Sequence, residues 1–468
     1  MTKPNILYLH SHDTGRYVQP YGYAVPTPNL QRLAGQGVLF RQCYCAAPVC
    51  SASRAGLLCG QSAHGAGMIG LAHRGFRLAD YGRHIAATLR ANGYRTALAG
   101  TQHVAAEKQC RQLLPYDEFL DYGPDGKSLG EAGPDIAERA AGFLARAGQS
   151  RAGAGQARPF FLAVGFGETH RTFPEKLSPK ADPRYVRPPE PIPDTPETRA
   201  DMAGFITSAI ALDAQMGRVL DALDAAGLAD NTLVICTTDH GLPFPRMKSN
   251  LTDGGIGVML MMRGPSGFTV GFLGGRVCDA LVSHVDIFPT VCEVAGIAPP
   301  AWLEGKSIVP LIDGRADSIR EELFAEMTYH TAYEPMRCIR TRRYKYIRRF
   351  PPGPHRPMPC NLDDSPSKTL WLDNHWLMVP LDADCLYDVI LDPAEQNNLA
   401  DCPAMKPVID DLSARLTAWM KATKDPLLAG GVPAPAGAVL NYRDAVSPRE
   451  PKYTLEKPEV AVRKKPQQ

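Results

Sequence analysis

Short apolar runs, each followed within a few residues by histidine or an acid, constrain this chain more than any other feature. Asn5–His10 leads into His12-Asp13, and Thr96–Gly100 leads into His103. Phe160–Val164 leads into Glu168 and His170, and Leu233–Thr237 leads into Asp239-His240. Val258–Met262 is a fifth run of the same kind. Nearly continuous apolar runs of this length read as strands buried on both faces. Helical patterns lie between them, at Tyr81–Asn92, Pro134–Ala147 and Met202–Ala225. Such alternation predicts an α/β fold with a largely parallel sheet. The polar residues that follow the strands then gather at the carboxyl edge, where open α/β sheets bind ligands.

At 468 residues the chain is long enough for one large domain and a smaller one. A large domain is expected over 1–320, with Asp286–Ala295 as a late helix. A smaller α+β domain is expected over 321–440, from the strand-like Met336–Phe350, the short strand Cys385–Ile390 and the amphipathic helix Met405–Ala422. The Pro-, Lys-, Arg- and Glu-rich residues 441–468 read as an arm or a disordered tail. Ala140–Gln156 reads as a helix end running into a surface loop.

Lys plus Arg number 51 and Asp plus Glu 49, a balance that gives no support for a nucleic-acid or membrane-surface partner. No apolar run reaches the roughly 18–20 residues of a membrane helix. No export signal precedes Asn5–His10, so a cytoplasmic location is expected, with the 12 cysteines reduced. Homo-oligomerisation stays open.

Asp13 and Asp239 offer hard oxygen donors, and His12 and His240 offer nitrogen. A mixed set of this kind suits one divalent cation, and imidazole moves the expectation from calcium toward manganese, iron or zinc. A second signal is Ala47–Leu58. A helix starting at Cys50 places the cysteine among free N–H groups, with Arg54 one turn on along the same face. A nucleophile, an anion cradle and a fixed guanidinium suit attack on a tetrahedral oxyanion group.

These residues resemble the sulfatase family, within the alkaline-phosphatase-like superfamily. Cys50-Ser51-Ala52-Ser53-Arg54 is similar to its Cys-x-Pro/Ala-x-Arg signature. Asn5–Gly15, Pro28–Ala34, Val282–Thr290 and the stretch from Leu386-Tyr387-Asp388 to Asn397-Asn398-Leu399 resemble further family segments. Asp239–Pro245, with Met327-Thr328-Tyr329 through Glu334-Pro335-Met336-Arg337, points to the N-sulfoglucosamine sulfohydrolase branch.

The resemblance implies an alkaline-phosphatase-like large domain, with a mostly parallel central sheet, and a formylglycine made from Cys50 by a formylglycine-generating enzyme. The hydrated aldehyde attacks sulfur through one hydroxyl, and the second hydroxyl later loses a proton as sulfate leaves. His103 is implied as the base of that step, and Arg54 as holding the formylglycine region. His170 and Lys248 are implied to contact the sulfuryl group and protonate the leaving atom. His12, Asp13, Cys50, Asp239 and His240 are implied as ligands of one Ca²⁺ or Mn²⁺.

Three departures stand out. His12 and His240 replace a family Asp and Asn, Thr101 replaces a lysine, and Ala52 replaces the commoner proline. Loss of one charge-stabilising donor costs on the order of 10²–10³ in rate. Lys108 and Arg171 are the candidate replacements for the lysine.

The leading expectation is a sulfatase acting on a small sulfate ester or sulfamate. A phosphonate monoester or phosphodiester hydrolase on the same site, and a degenerate anion-binding homologue, are the alternatives. His64 and His73 read as pocket-lining or structural, and His284 as structural. Pro351–Met378, with His355, Trp371, His375 and Trp376, reads as a substrate wall, a packing lid or an interface.

Overall fold

The computed structural model describes residues 3–121, 135–152, 158–268, 272, 274–353 and 355–466. Pro134, the first residue of one expected helix, and the loop part of Ala140–Gln156 lie outside the described residues.

Eight strands make the large sheet: β1 (Asn5–Ser11), β2 (Val38–Phe40), β4 (Arg95–Gly100), β5 (Glu118–Phe119), β6 (Phe160–Gly165), β7 (Thr232–Thr238), β8 (Leu260–Arg263) and β9 (Arg276–Cys278). Their order is β5-β4-β6-β1-β7-β8-β2-β9. A separate parallel pair joins β3 (Cys43–Tyr44) to β10 (Val282–Ser283). The centre is parallel, as the alternation predicted: β1 runs with β6 on one side and β7 on the other.

Residues of one strand alternate between two cores. Ile6 and Tyr8 of β1 join the cluster that holds the Cys50–Cys59 helix, whereas Leu7 and Leu9 join Leu212, Met216 and Leu220 on the opposite face. This is why the run is apolar at every position. Each such side chain contributes about 1.5–3 kcal/mol by burial.

One strand departs from expectation. The run read at Val258–Met262 begins at Leu260 and pairs antiparallel with β7. The connection after β7 carries only a four-residue helix, Asp253–Ile256, and doubles back over the carboxyl edge. A parallel return is usually carried by a crossover helix packed on the sheet, and this connection has no helix of that length. The helix read at Tyr81–Asn92 is also divided. A 3₁₀ turn, Tyr81–Arg83, precedes the helix Ile85–Ala91, whose Ala86 N–H is accepted by His84 Nδ1 at 3.1 Å. The helix read from Met202 starts earlier, at Pro196, behind a Thr195/Thr198 capping box.

The later residues form an antiparallel sheet of β11 (Glu322–Tyr329), β12 (Tyr333–Thr341), β13 (Tyr344–Arg349) and β14 (Asp384–Asp388). Met336–Phe350 is therefore two strands of a hairpin. The helix Lys406–Ala422 buries Leu412, Leu416 and Met420 against this sheet, and Trp419 stacks on Phe324 with ring centroids 4.9 Å apart. Leu323, Met327, Cys338 and Ile339 belong to the same core as the Cys50 helix, so the two sheets share one interior. The last residues are an arm: β15 (Val439–Asn441) pairs with β16 (Lys452–Thr454), and Leu455 and Ala461 are buried. No described helix is long and apolar enough to cross a membrane.

Candidate active site

The strand registers bring the expected residues together. His10 is level with Thr237 of β7 and with Gly165 of β6, and Gly100 of β4 is level with Gly165. The four carboxyl ends therefore finish side by side. Gly165 is required here, because a Cβ at that position would run into Thr101 O and the His10 ring. Asp13 turns out of β1 with a φ of 60°, a conformation uncommon for a residue with a side chain, and its N–H donates to Asp239 Oδ1 at 2.8 Å.

His12, Asp13, Cys50, Asp239 and His240 converge, with one donor atom of each within 4.8 Å of all the others. His12 Nδ1 lies 2.9 Å from Asp13 Oδ1 and 3.2 Å from Asp239 Oδ2. His240 Nε2 lies 3.2 Å from Asp13 Oδ1 and 3.4 Å from Cys50 Sγ. His240 Nδ1 lies 3.0 Å from the Gly241 carbonyl, which can only accept. The proton is therefore assigned to Nδ1, and the Nε2 lone pair faces the cluster. Burial, partly offset by Asp239 and Asp13, lowers the His12 pKa to about 4, so its imidazole is neutral at pH 7. Two carboxylates with fully buried side chains and two imidazoles turned toward one point fit a divalent cation.

Cys50 opens the helix Cys50–Cys59, every residue of which is buried. Val49 precedes it without a side-chain cap, so the first-turn N–H groups are left for a ligand. Burial, only partly countered by Lys248, pushes the Cys50 thiol well above its usual range. Arg54 is fixed on the same helix. It donates through Nη1 to His10 Nδ1, and through Nη2 to Ser11 O at 3.1 Å and Asp239 Oδ2 at 3.0 Å. Its buried Nε has no hydrogen-bond partner among the described residues.

His103 follows β4 on a loop shaped by Gln102, whose Oε1 accepts the N–H groups of Val104 and Ala105 at 2.7 and 2.9 Å. The His103 ring meets His12 edge-on at 5.0 Å. Burial, then His12 and Arg54, holds its pKa well below the ordinary value. The His170 ring meets His12 at 4.4 Å. Lys248 Nζ donates to Asp13 Oδ2 at 2.7 Å and to Asp363 Oδ2 at 2.7 Å, and lies 3.2 Å from His170 Nε2. Burial opposes the charge on Lys248, but Asp13 and Asp363 outweigh it and raise its pKa well above the usual value. Asp13, His170 and Asp363 also converge as a second possible ligand set, and the Lys248 ammonium bonds to each of them.

All nine expected site residues thus lie in one constellation. The two candidate replacements for the lysine do not join it. Arg171 pairs with both oxygens of Asp201 at 2.6 and 2.8 Å and rests 4.3 Å from the Phe173 ring centre. Lys108 is exposed and lines a cleft with His73. His284, expected to be structural, is buried, with Nε2 lying 3.0 Å from Thr237 Oγ1. His64 is buried against Glu326, away from this cluster.

Two residues in the constellation were not singled out from sequence. His10 lies near the end of β1, two positions before His12, and that spacing was a readable signal. Asp363 comes from a polar loop with no signal of its own. Trp371 and Trp376 meet edge to face at 5.4 Å. With Asn250, Arg349 and Leu381 they line a cavity of about 740 Å³ that borders Lys248.

A family model described as Sulfatase matches residues 4–297. A second, described as N-sulphoglucosamine sulphohydrolase, C-terminal, matches residues 248–353. The human N-sulphoglucosamine sulphohydrolase is 30% identical over 477 residues, covering 90% of this chain and 91% of that protein. An ulvan-active sulfatase of Formosa agariphila is 28% identical, covering 90% of this chain and 81% of that protein. Among solved structures, BT4656 in complex with its substrate D-glucosamine-2-N,6-O-disulfate superposes with a TM-score of 0.67 at 17% identity, covering 91% of this chain and 99% of that one.

Proposed function

The chain belongs to the sulfatase family, and on that premise we propose that it is a formylglycine- and metal-dependent hydrolase of a small sulfate ester or sulfamate, with N-sulfoglucosamine as the first substrate to try. The observation that carries the reading is the placement of Cys50. It stands at an uncapped helix start, 3.4 Å from His240, inside a cluster of buried metal-type donors. As a thiol it is held protonated by burial and is a weak nucleophile. That favours its conversion by a formylglycine-generating enzyme over thiolate chemistry.

His12, Asp13, Asp239 and His240, with residue 50, would hold the cation. When bound, the cation supplies Lewis-acid polarisation of a sulfuryl oxygen. Formylglycine supplies a hydrated aldehyde as the attacking group. The remaining work falls to the chain's own side chains. Arg54 keeps Asp239 in place through Nη2 and supplies a fixed guanidinium one turn along the helix from residue 50. His103, neutral through burial, can accept a proton. Lys248 and His170 form a donor–acceptor pair through which a proton reaches the leaving oxygen or nitrogen.

The imidazole pair His12 and His240 favours one second reading, a phosphonate monoester or phosphodiester hydrolase on the same site. The test has two steps. Peptide mass spectrometry across Cys50, on protein made with a formylglycine-generating enzyme, should show the mass of the aldehyde. The modified, metal-loaded protein is then screened on an aryl sulfate, N-sulfoglucosamine and an aryl phosphonate. Turnover of the sulfate or sulfamate supports the reading. Turnover of the phosphonate alone supports the second. An unmodified thiol despite an active modifying enzyme sinks the formylglycine mechanism, and a modified protein that turns over nothing indicates an anion-binding homologue.

A further inference from the structure

Asp363 places a carboxylate at the mouth of a site built to attract an anion. Its side chain is 23% exposed, whereas those of Lys248 and Asp13 are 1% and 0% exposed. Only Oδ2 is engaged, by Lys248 at 2.7 Å; Oδ1 makes no hydrogen bond among the described residues. The position is not that of a loose surface acid. Asn361 accepts the N–H groups of Thr331 and Ala332 at 3.0 and 2.9 Å, and its carbonyl takes Ser249 Oγ at 2.8 Å. The Leu362 carbonyl takes Lys368 Nζ at 2.9 Å. Asp364 takes Lys368 Nζ at 2.9 Å and Ser447 Oγ at 2.6 Å. The neighbours on both sides are pinned to the protein, and Asp363 is the carboxylate of this loop that reaches Lys248.

A fixed negative charge here opposes an incoming sulfuryl group. Lys248 offsets only part of that opposition, because it also serves Asp13 and His170. The charge has a use if the substrate brings a donor to it. We infer that Asp363 is a specificity residue: Oδ1 accepts an N–H or O–H of the group that carries the sulfuryl. The site then selects a singly sulfated amino or hydroxy compound and disfavours a second anionic group beside the scissile bond. This rests on the sulfatase reading. A site that hydrogen-bonds a substrate donor through a charged acceptor discriminates strongly against an analogue that lacks it.

Three aryl sulfates test this on formylglycine-bearing protein: phenyl sulfate, catechol monosulfate with a neighbouring hydroxyl, and 2-carboxyphenyl sulfate with a neighbouring carboxylate. Asp363→Asn and Asp363→Ser are compared with wild type, each checked for an unchanged melting transition. Ratios of kcat/KM between substrates, read variant against wild type, cancel differences in leaving-group chemistry. The catechol-to-phenyl ratio is expected to fall roughly 10–100-fold in both variants, and the carboxyphenyl-to-phenyl ratio to rise. If wild type is active and both ratios are the same in all three proteins, even with every rate lowered, Asp363 acts only by positioning Lys248 and the inference is overturned. If wild type cleaves no sulfate ester or sulfamate at all, the sulfatase reading fails first and takes the inference with it.

Discussion

His64 Nδ1 lies 2.8 Å from Glu326 Oε1, and this contact ties the segment just after the Cys50 helix to the second sheet. Arg337, fully buried, completes the cluster by pairing with Asp425 through Nε at 2.5 Å and Nη2 at 2.9 Å, and with Glu326 at 3.2 Å. Burial alone would lower the His64 pKa, but Glu326 outweighs it and raises it. Burial likewise works against ionisation of Glu326, yet His64 and Arg337 bring its pKa down to about 2. The signs follow. The His64 contribution is complete below its ordinary 6.5 and is lost as pH rises through the raised folded value. The Glu326 contribution is complete above its ordinary 4.5 and is lost as pH falls toward 2. Removing either partner should cost about 3–5 kcal/mol within that window. A His64→Gln/Glu326→Gln double-mutant cycle, read by urea unfolding at several pH values, should show a coupling that shrinks toward pH 9. A coupling that grows with pH would contradict this account.

Glu334 gives the opposite pH signature. Burial, with Asn361 and Arg349 working against it, raises its pKa from 4.5 to about 7. A carboxyl with a raised folded pKa binds its proton more tightly in the native state. Stability should therefore fall as pH rises between about 4.5 and 7. Glu334→Gln keeps an oxygen for Asn361 Nδ2, which now donates to Oε2 at 2.8 Å. The variant should be more stable than wild type at pH 8 by about 3 kcal/mol, and nearly equal to it at pH 4.5. Denaturant midpoints at the two pH values decide it. An equal shift at both would rule out a titration effect.

Arg54 cannot be replaced by a lysine without loss, because its contacts need a planar fork. Nη1 and Nη2 hold His10, Ser11 O and Asp239 at once while Nε stays uncommitted. Arg54→Lys should lower kcat on the order of 10²–10³ per formylglycine-bearing molecule, with the occupancy of each protein measured by mass spectrometry. His10→Ala removes only one acceptor from the guanidinium and should lower kcat by less. A His10→Ala loss as large as that of Arg54→Lys would mean that His10 does more than orient the arginine.

The parts of this site that were legible in the sequence are those set by local order. A buried strand must end somewhere, and the polar residues after β1, β4, β6 and β7 announced where. Cys50 and Arg54 lie one turn apart on a single helix, so their common face followed from spacing alone. What escaped depends on contacts far apart in the chain. Apolar residues look alike in parallel and antiparallel strands, so the reversal of β8 left no mark. Arg171 looked available because Asp201, its partner, lies 30 positions away. Asp363 lies 115 positions from Lys248, in a loop whose Asp363-Asp364 pair looks like any solvated turn. The arm beyond residue 441 has a tail-like composition, yet it is held by pairing with Val439–Asn441 and by burying Leu455 and Ala461.

The metal preference should follow the two imidazoles. In this cluster His12 and His240 present nitrogen where the family pattern has oxygen donors, and the His240 tautomer is fixed by the Gly241 carbonyl at 3.0 Å. Nitrogen donors favour manganese or a later first-row cation over calcium, which takes oxygen. A ligand that binds only the native state raises the unfolding temperature by mass action, so affinity can be read without turnover. Metal-free protein titrated with each ion should melt at a higher temperature with Mn²⁺ than with Ca²⁺ at equal concentration. The double variant His12→Asp/His240→Asn restores the all-oxygen set and should reverse the order. His12 also faces Asp13 and Asp239 at 2.9 and 3.2 Å, so His12→Asp alone crowds a third carboxylate into the cluster. That single variant should lose stability when metal-free and regain it with Ca²⁺. Equal shifts from both ions in wild type, with no reversal in the double variant, would mean that the two carboxylates alone set the affinity and that the imidazoles serve another purpose.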